Sequence, residues 1–540
     1  MKLTRLLPLG GLLAGACLLP ACQQYSTEKL EAVAHPGATA ELVATPVFSN
    51  RNAADTTQEV RENYAVIHEN PFLTANHNPL STFAIDVDRA SYANVRRFLM
   101  QDRQLPPPDA VRLEELVNYF PYHYPQPRSG PASLNAEVAA CPWNPAHQLV
   151  LVGVQGKQVA TSDLPPANLV FLLDVSGSMN DPQKLPLLKE SLRLLVRESL
   201  RPQDYVAIVV YAGAAGVVLP PTSGAEPATI LRALDELEAG GSTAGGEGLR
   251  LAYQLAQQQQ RPGSNNRIIL ATDGDFNVGE QSDADLERLI TQERESGVFL
   301  SVLGFGTGNL QDSKMELLAD KGNGNYAYID QLGEARRVLV QQFGGTLFTL
   351  AKDVKVQVEF NPTLVREYRL LGYENRLLAA EEFTDDRKDA GELGAGQQVT
   401  ALYEVVPVGA PATGASPLEE LKYQQTTPRP AASSQELLTV KLRYQEPLGS
   451  PSKLLTLPVR NVQLGEPLAH SSANLRWAAA VAQFGLLLRG SRYAGTATWA
   501  STTALARNSA TPETDGNEVH AEFQELVERA TALSAESATR

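Results

Sequence analysis

The sequence predicts an α/β protein in which a doubly wound parallel-sheet domain is inserted into a β-sandwich, with helical segments at the N- and C-terminal sides. Three patterns support this prediction. Buried apolar strands alternate with amphipathic helices in the middle of the chain, strands of period two flank that part, and amphipathic helices end the chain. A length of 540 residues also exceeds what one core usually organises.

Residues 1–22 have the features of a lipoprotein signal peptide. A basic start is followed by an apolar stretch that is too short for a stable membrane span. Residues 19–22 resemble a bacterial lipobox, in which Cys22 becomes the acylated first residue of the mature protein. Pro20 is an unusual occupant of that motif, and Cys17 is a poorer competing site. We therefore expect a lipid anchor at Cys22.

The next segment, residues 23–76, is predicted to be a flexible tether because it is rich in Ala, Thr, Glu and Asn without sustained periodicity. Gln23 follows the anchor cysteine in place of the aspartate that marks inner-membrane retention in Gram-negative lipoproteins. By that analogy, we expect a cell-envelope protein that is lipid-anchored at the outer membrane.

Residues 77–130 are predicted to form a small N-terminal α/β segment, with a strand at residues 81–88 and two amphipathic helices after it. Asp88 is placed to cap the first of these helices. Asp86 and Asp88 could instead bind a cation, but a turn or cap role is the favoured interpretation.

The residues on either side of the central domain are predicted to share one β-sandwich. Residues 131–166 supply its first strands, and residues 350–465 supply the others with a period of two, which indicates antiparallel strands with one wet face. The inserted domain then spans residues 167–349, and residues 466–540 form a helical C-terminal segment.

The central domain begins with a strand that ends in oxygen-bearing side chains. An apolar run at residues 168–173 leads to Asp174, and Ser176 and Ser178 follow at alternate positions. A carboxylate with two hydroxyls offers only oxygen ligands, which suit a small hard cation such as Mg²⁺.

Two later segments supply further oxygen-bearing side chains, and both are expected at the edge of the sheet where α/β proteins place their ligands. Thr243 precedes an amphipathic helix, and Asp273 follows a second buried strand at residues 267–272. Asp275 and Asn277, which come next, are more typical of a solvated turn than of groups that support a metal.

This order of residues resembles the metal-ion-dependent adhesion site of the von Willebrand factor type A domain, which has a Rossmann-like fold. The resemblance implies that a divalent ion, Mg²⁺ or Mn²⁺, is held by Asp174, Ser176, Ser178, Thr243 and Asp273. It also implies that one coordination position is offered to an acidic side chain of a protein partner. The alternative is that these aspartates and serines only cap turns.

The flanking segments resemble the bacterial YfbK-like family of von Willebrand factor type A lipoproteins. The stretches that carry this resemblance are residues 81–99, 109–120, 271–279 and 477–495. The resemblance brings no assigned activity for the flanking segments.

Charge and residue usage exclude several classes of function. A formal charge of −15 argues against nucleic acid as a partner. Cys141 has no intramolecular partner in the mature chain and is expected to be a core thiol. No histidine lies within residues 167–349, so no local general base is supplied and no catalytic residue is predicted. The sequence favours a metal-dependent binding protein over a structural envelope protein with a vestigial site or a metal-dependent hydrolase.

Overall fold

A computed structural model describes residues 62–241, 245–261, 263–274, 283–342, 348–388, 390–413, 435–447, 451–460, 467–509 and 518–539. Contacts divide the chain after Gln58, and all of these residues belong to the second unit, Glu59–Arg540. Cys22, Gln23 and the rest of the leader lie outside the described residues.

Within these ranges the strands are β1 Leu73–Thr74, β2 Leu80–Ala84, β3 Ala132–Cys141, β4 Asn144–Gly156, β5 Ala167–Asp174, β6 Tyr205–Tyr211, β7 Ala215–Ser223, β8 Asn265–Thr272, β9 Val298–Phe305, β10 Tyr326–Ile329, β11 Thr349–Phe360, β12 Val365–Leu371, β13 Leu377–Leu378, β14 Gly391–Gly394, β15 Gln398–Pro407, β16 Glu436–Gln445 and β17 Lys453–Arg460. The α-helices are α1 Ala90–Met100, α2 Leu113–Asn118, α3 Leu185–Glu198, α4 Pro227–Asp235, α5 Gly245–Gln258, α6 Asp283–Arg294, α7 Asp312–Lys321, α8 Leu332–Arg336, α9 Ala473–Arg489, α10 Trp499–Ser509 and α11 Glu518–Thr539.

The central domain is built on a sheet with the strand order β10-β9-β8-β5-β6-β7. Strand β5 runs parallel to β6 and to β8, and each of its residues is buried, as expected for a strand that is covered on both faces. Helices α3 and α4 pack on one face of the sheet, and α5, α6 and α7 pack on the other. The predicted doubly wound, Rossmann-like fold is confirmed.

The edge strand β7 makes this sheet mixed rather than wholly parallel, because it pairs antiparallel with β6. The two strands are joined by residues 212–214 alone. A parallel pairing would need a crossover of about a dozen residues or more, so this short connection permits only a hairpin.

Two further sheets enclose a common apolar core and form a β-sandwich. Their strand orders are β1-β12-β15-β4-β3 and β13-β2-β11-β16-β17. Strand β4 lies before the central domain and pairs with β15 after it, and β2 pairs in the same way with β11. The chain therefore leaves the sandwich after β4 and returns to it at β11, and the central domain is the insertion.

The N-terminal part of this unit differs from its prediction. Asn70 donates hydrogen bonds to the carbonyls of Leu370 and Gly372 at 3.1 and 2.8 Å, and Phe72 is buried, so the tether predicted to reach residue 76 ends earlier. Residues 77–130 also do not form a segment of their own, because β2 belongs to the sandwich. One short strand and two short helices bury too little apolar surface for a separate core.

Helices α1 and α2 share an apolar core with the C-terminal helices α9, α10 and α11. Helix α1 contacts this core with Tyr92 and Val95, and it places Ala90 and Ala93 against the central sheet. It therefore links the helical layer to the inserted domain. Within the described ranges, no helix combines the length and the apolar character needed to cross a membrane.

Asp88 does not cap helix α1, and that prediction is wrong. The N-cap residue is Arg89, which makes no capping side-chain hydrogen bond. The Asp88 carboxylate instead accepts the backbone N–H of Tyr326 at 2.7 Å and the guanidinium of Arg376 at 3.1 Å. Asp88 thus ties the sandwich to the central domain.

Candidate metal centre

Strand β5 places Asp174 at the carboxyl edge of the central sheet, where it is fully buried. The Asp174 Oδ1 atom accepts the backbone N–H of Ser176 at 2.9 Å, a local bond that turns the chain out of the sheet. The hydroxyl oxygens of Ser176 and Ser178 then lie 3.0 Å apart. Ser178 is exposed, so this turn leads from the buried carboxylate to the surface.

Backbone hydrogen bonds from two neighbouring segments hold this turn in place. Val175 donates to the carbonyl of Tyr211 at 3.1 Å, and Gly177 donates to that of Gly241 at 3.1 Å. Gly241 has φ +82°, and a side chain there would approach the backbone of Gly213. Residues 239–241 therefore pass directly beside the turn.

Asp273 follows strand β8, which lies next to β5, and it is fully buried at the same edge. Its carboxylate accepts a hydrogen bond from the hydroxyl of Ser178, and its Oδ2 atom lies 2.8 Å from the Nζ atom of Lys184. Lys184 also donates to Asn309 Oδ1 at 3.1 Å. Hydrogen bonds therefore connect Asp174, Ser176, Ser178 and Asp273 in that order.

The two carboxyl groups differ in their electrostatic surroundings. Burial raises the pKa of Asp174, and the negative charge of Asp273 adds to the rise, while hydrogen bonds from Ser176 and Tyr211 partly offset it. Burial also opposes ionisation of Asp273, but hydrogen bonds from Lys184 and Asn309 outweigh it and lower the pKa of that carboxyl. Asp273 is thus the better-stabilised anion of the pair.

Thr243, the fifth predicted ligand, lies outside the described residues, as do Asp275 and Asn277. The chain just before Thr243 is described, since Gly241 contacts the turn as given above. The role of all five side chains as metal ligands stays a prediction.

Four polar residues of this centre were not found from the sequence. Tyr211 and Thr272 each donate a hydroxyl hydrogen bond to Asp174 Oδ2 at 3.2 Å, and Lys184 and Asn309 contact Asp273 and each other. Thr272 could have been noticed, because it directly precedes Asp273. Lys184 and Asn309 carry no such signal, since they reach the site from loops that only the tertiary fold brings there.

The residues present fit a divalent cation. Asp174 is buried, and no basic side chain in the described part of the chain forms an ion pair with it. A buried carboxylate without a counter-charge is costly, and a bound dication beside it would remove that cost. Carboxylate and hydroxyl oxygens are hard ligands of the kind that Mg²⁺ and Mn²⁺ prefer.

Family profiles match most of the described unit. The profile of the von Willebrand factor type A domain matches residues 168–342, and one described as "von Willebrand factor" matches residues 58–151. The profile "Uncharacterized protein YfbK, C-terminal" matches residues 345–533. The type A match indicates a module of metal-dependent protein interaction or adhesion.

The chain is 44% identical over 480 residues to the uncharacterized protein YfbK of Escherichia coli K12, covering 87% of this chain and 81% of that protein. Among solved structures, a von Willebrand factor type A protein from Catenulispora acidiphila is 20% identical, with a TM-score of 0.40 over 72% of this chain and 89% of that one. Proximal thread matrix protein 1 from the mussel byssus, described with a zinc-occupied MIDAS motif, is 25% identical, with a TM-score of 0.28 over 33% of this chain and 44% of that one.

Proposed function

We propose a function for this chain on the basis of its family, because it belongs to the YfbK family of von Willebrand factor type A proteins. The proposed function is that of a membrane-anchored lipoprotein that binds a protein partner through a divalent cation. One observation carries the proposal. Asp174, Ser176, Ser178 and Asp273 form a continuous hydrogen-bonded set that runs from buried carboxylates to an exposed serine.

The cation would be Mg²⁺ or Mn²⁺, held by Asp174, Ser176, Ser178, Asp273 and, by resemblance, Thr243. When bound, it would supply a positive charge that attracts an acidic side chain of the partner, which the acidic surface of this protein could not do alone. The chain's own part is to orient the oxygen ligands and to keep water away from the buried side of the ion.

The surroundings of His147 support binding rather than hydrolysis. His147 contacts Glu404 with 2.5 Å between Nδ1 and Oε1, but both side chains are buried in the sandwich. Trp143 and Arg369 also hydrogen-bond Glu404, so that carboxylate is already engaged in a structural network. A metal-dependent hydrolase is therefore the weaker alternative.

A structural envelope protein with a vestigial metal site is the second candidate, and Lys184 is the observation that favours it. Its ammonium group already neutralises Asp273. Under this alternative, partner binding would be indifferent to metal.

Calorimetry of the full chain in detergent tests the metal site. We expect Mg²⁺ and Mn²⁺ to bind the wild type and to bind Asp174→Ala at least about tenfold more weakly, a loss of about 1.4 kcal/mol. Asp235→Asn is the matched control, because Asp235 is an exposed acid of the same domain. Equal affinities of the wild type and Asp174→Ala would contradict the site.

Affinity capture from solubilised envelope then separates the two candidates. A metal-dependent binder should retain its partner in Mg²⁺ and release it in EDTA, and the Asp174→Ala variant should retain none. Retention that EDTA leaves unchanged would support the structural alternative instead.

The membrane anchor is tested independently at Cys22. Labelling of cells with an alkyne fatty acid should mark the wild type and Cys17→Ser, but not Cys22→Ser, because acylation needs the thiol at the lipobox position. Density separation of the membranes should then place the labelled protein with the outer membrane. Label that persists in Cys22→Ser would contradict acylation at Cys22. A labelled protein found with the inner membrane would contradict the outer-membrane location.

A further inference from the structure

A cavity of about 480 Å³ lies where the central domain meets the sandwich and helix α2. Among its lining residues on β8, Ile269 is the nearest along the chain to Asp273 and lies four residues before it. At the rise of an extended strand, that separation is roughly 13 Å. The cavity is therefore distinct from the candidate metal centre.

Three arginines line this cavity: Arg89, Arg267 and Arg337. Arg267 donates to Ser301 Oγ at 2.6 Å, but its buried Nε atom has no hydrogen-bond partner in the described part of the protein. Arg337 donates to the backbone carbonyl of Tyr119, and its buried Nη1 atom likewise has no partner there. Buried donors are rarely left unsatisfied, so these nitrogens point to a missing acceptor.

The described lining residues supply little negative charge to balance the three arginines. Asp88 is the acid among them, and its two carboxylate oxygens already accept hydrogen bonds from Tyr326 and Arg376. Glu334 lies near Arg89 and Arg337, but it is held by Arg96 and by the Tyr119 hydroxyl. Glu392 lies near Arg267 without being a lining residue, and it accepts a hydrogen bond from Asn323. The cavity wall thus carries an excess of positive charge in a protein whose net charge is −15.

Two of the cavity arginines, Arg89 and Arg267, also differ from the paired arginines of this protein. Carboxylate partners raise the pKa of Arg96 and Arg112 despite their burial. Burial, with repulsion from Arg337, lowers the pKa of Arg89 to about 10, and burial lowers that of Arg267 to about 10. A buried charge is tolerated when it is paired, so the contrast marks Arg89 and Arg267 as having no ion-paired carboxylate among the described residues.

The rest of the wall combines an apolar part with uncharged polar residues, among them five glutamines. Its apolar members come from the sheet, from helix ends and from α11, and they include Phe120, Ile269, Leu303, Val338 and Val519. A cavity of this size, with apolar lining residues and convergent polar groups, has the usual character of a small-molecule site.

We propose that this cavity binds a small organic anion, a carboxylate attached to an apolar body. Arg89 and Arg337, whose charges lie close enough to repel each other, bind the carboxylate, because a guanidinium group offers two parallel N–H donors to the two carboxylate oxygens. The apolar body packs against Phe120 and Ile269. The site is independent of the divalent cation.

The test is calorimetric titration of the full chain with 2-naphthoate, with 2-naphthamide as the neutral analogue and acetate as the carboxylate without an apolar body. We expect naphthoate to bind at least about tenfold more tightly than either analogue, in Mg²⁺ and in EDTA alike. Equal affinity for naphthoate and naphthamide would overturn the proposal, because it would show that the arginines do not bind the negative charge of the ligand carboxylate.

The variant Arg89→Gln should bind naphthoate about tenfold more weakly, and Arg89→Lys, which keeps the charge, should lose less. The matched control is Arg288→Gln on α6, whose side chain is 79% exposed, and it should bind as the wild type does. Thermal unfolding without ligand gives a second readout. Removing an unpaired charge should leave the Tm of Arg89→Gln unchanged or raised, whereas a Tm lowered by several degrees would show a structural arginine and overturn the proposal.

Discussion

Lys184 and Asp273 form a buried ion pair at the candidate metal centre, with 2.8 Å between Nζ and Oδ2. The same carboxylate is a predicted ligand of the divalent cation. The lysine therefore partly neutralises Asp273 when no metal is bound, and it repels a metal that approaches the same group. We therefore expect metal binding at Asp273 to compete with this ion pair.

Replacing Lys184 by methionine should raise the affinity for Mg²⁺ by about tenfold or more, because two like charges near a protein surface repel by several kcal/mol at short range. In EDTA the same variant should unfold at a lower temperature than the wild type, since Asp273 is left buried without its counter-ion. Calorimetry and thermal unfolding measure the two effects.

The control for this prediction is Lys453→Met, which removes an exposed lysine of strand β17 and should change neither quantity. Unchanged Mg²⁺ affinity in Lys184→Met would mean that Lys184 moves away from the ion, and the competition would be refuted.

Gly274 lies beside Asp273 with φ +102°, and a Cβ atom there would come within 2.5 Å of the Gln311 backbone nitrogen. We expect Gly274→Ala to weaken Mg²⁺ binding about tenfold or more, because relief of this overlap displaces Asp273. Gly263→Ala separates strain from overlap, since Gly263 has φ +77° and no atom lies within 4 Å of where its Cβ would stand. That control should cost about 1–2 kcal/mol of stability and leave Mg²⁺ binding unchanged. Equal binding by both variants would count against this account.

Arg96 on α1 joins the helical layer to the central domain through one guanidinium group. It pairs with Asp330 and Glu334 in the central domain, and with Glu522 on α11 at 3.0 Å. We expect Arg96→Ala to lower the free energy of unfolding by about 3–5 kcal/mol, because two buried carboxylates lose their partner. Urea denaturation measures the change.

Arg507→Ala serves as the control, since Arg507 and Glu528 form an exposed pair that should contribute about 1 kcal/mol or less. If the two variants are destabilised equally, Arg96 does not have the linking role that its contacts indicate.

His520 makes part of the stability depend on pH. Its ring packs at a tilt against Trp477 with 4.2 Å between ring centroids, and burial lowers its pKa from 6.5 to about 4. Between pH 6.5 and 4, His520 is therefore protonated in the unfolded chain and neutral in the folded chain. The contribution of His520 to folding stability is present above pH 6.5 and is lost as the pH falls towards 4.

Thermal unfolding between pH 7 and 4.5 tests this sign. The Tm of His520→Phe should fall less steeply with acid than that of the wild type, and His68→Phe, which changes an exposed histidine, should follow the wild type. Parallel curves for the wild type and His520→Phe would exclude the effect.

The sequence by itself determined the fold class and the local elements of the central domain. Strands β5 and β8 contain the apolar runs predicted at residues 168–173 and 267–272, because period and burial are local properties of these segments. The predicted grouping of Asp174 with Asp273 also followed from a general rule, since parallel strands end at one edge of a sheet.

Only the tertiary structure decided what surrounds these groups. Lys184 and Asn309 reach Asp273 from separate loops, and the cavity arginines come from three distant segments. Strand β2 joins the sandwich because β11 offers it an edge, which no pattern within residues 80–84 could reveal. Periodicity encodes which face of an element is buried, but not which other element buries it, and charges become paired or isolated only when those partners meet.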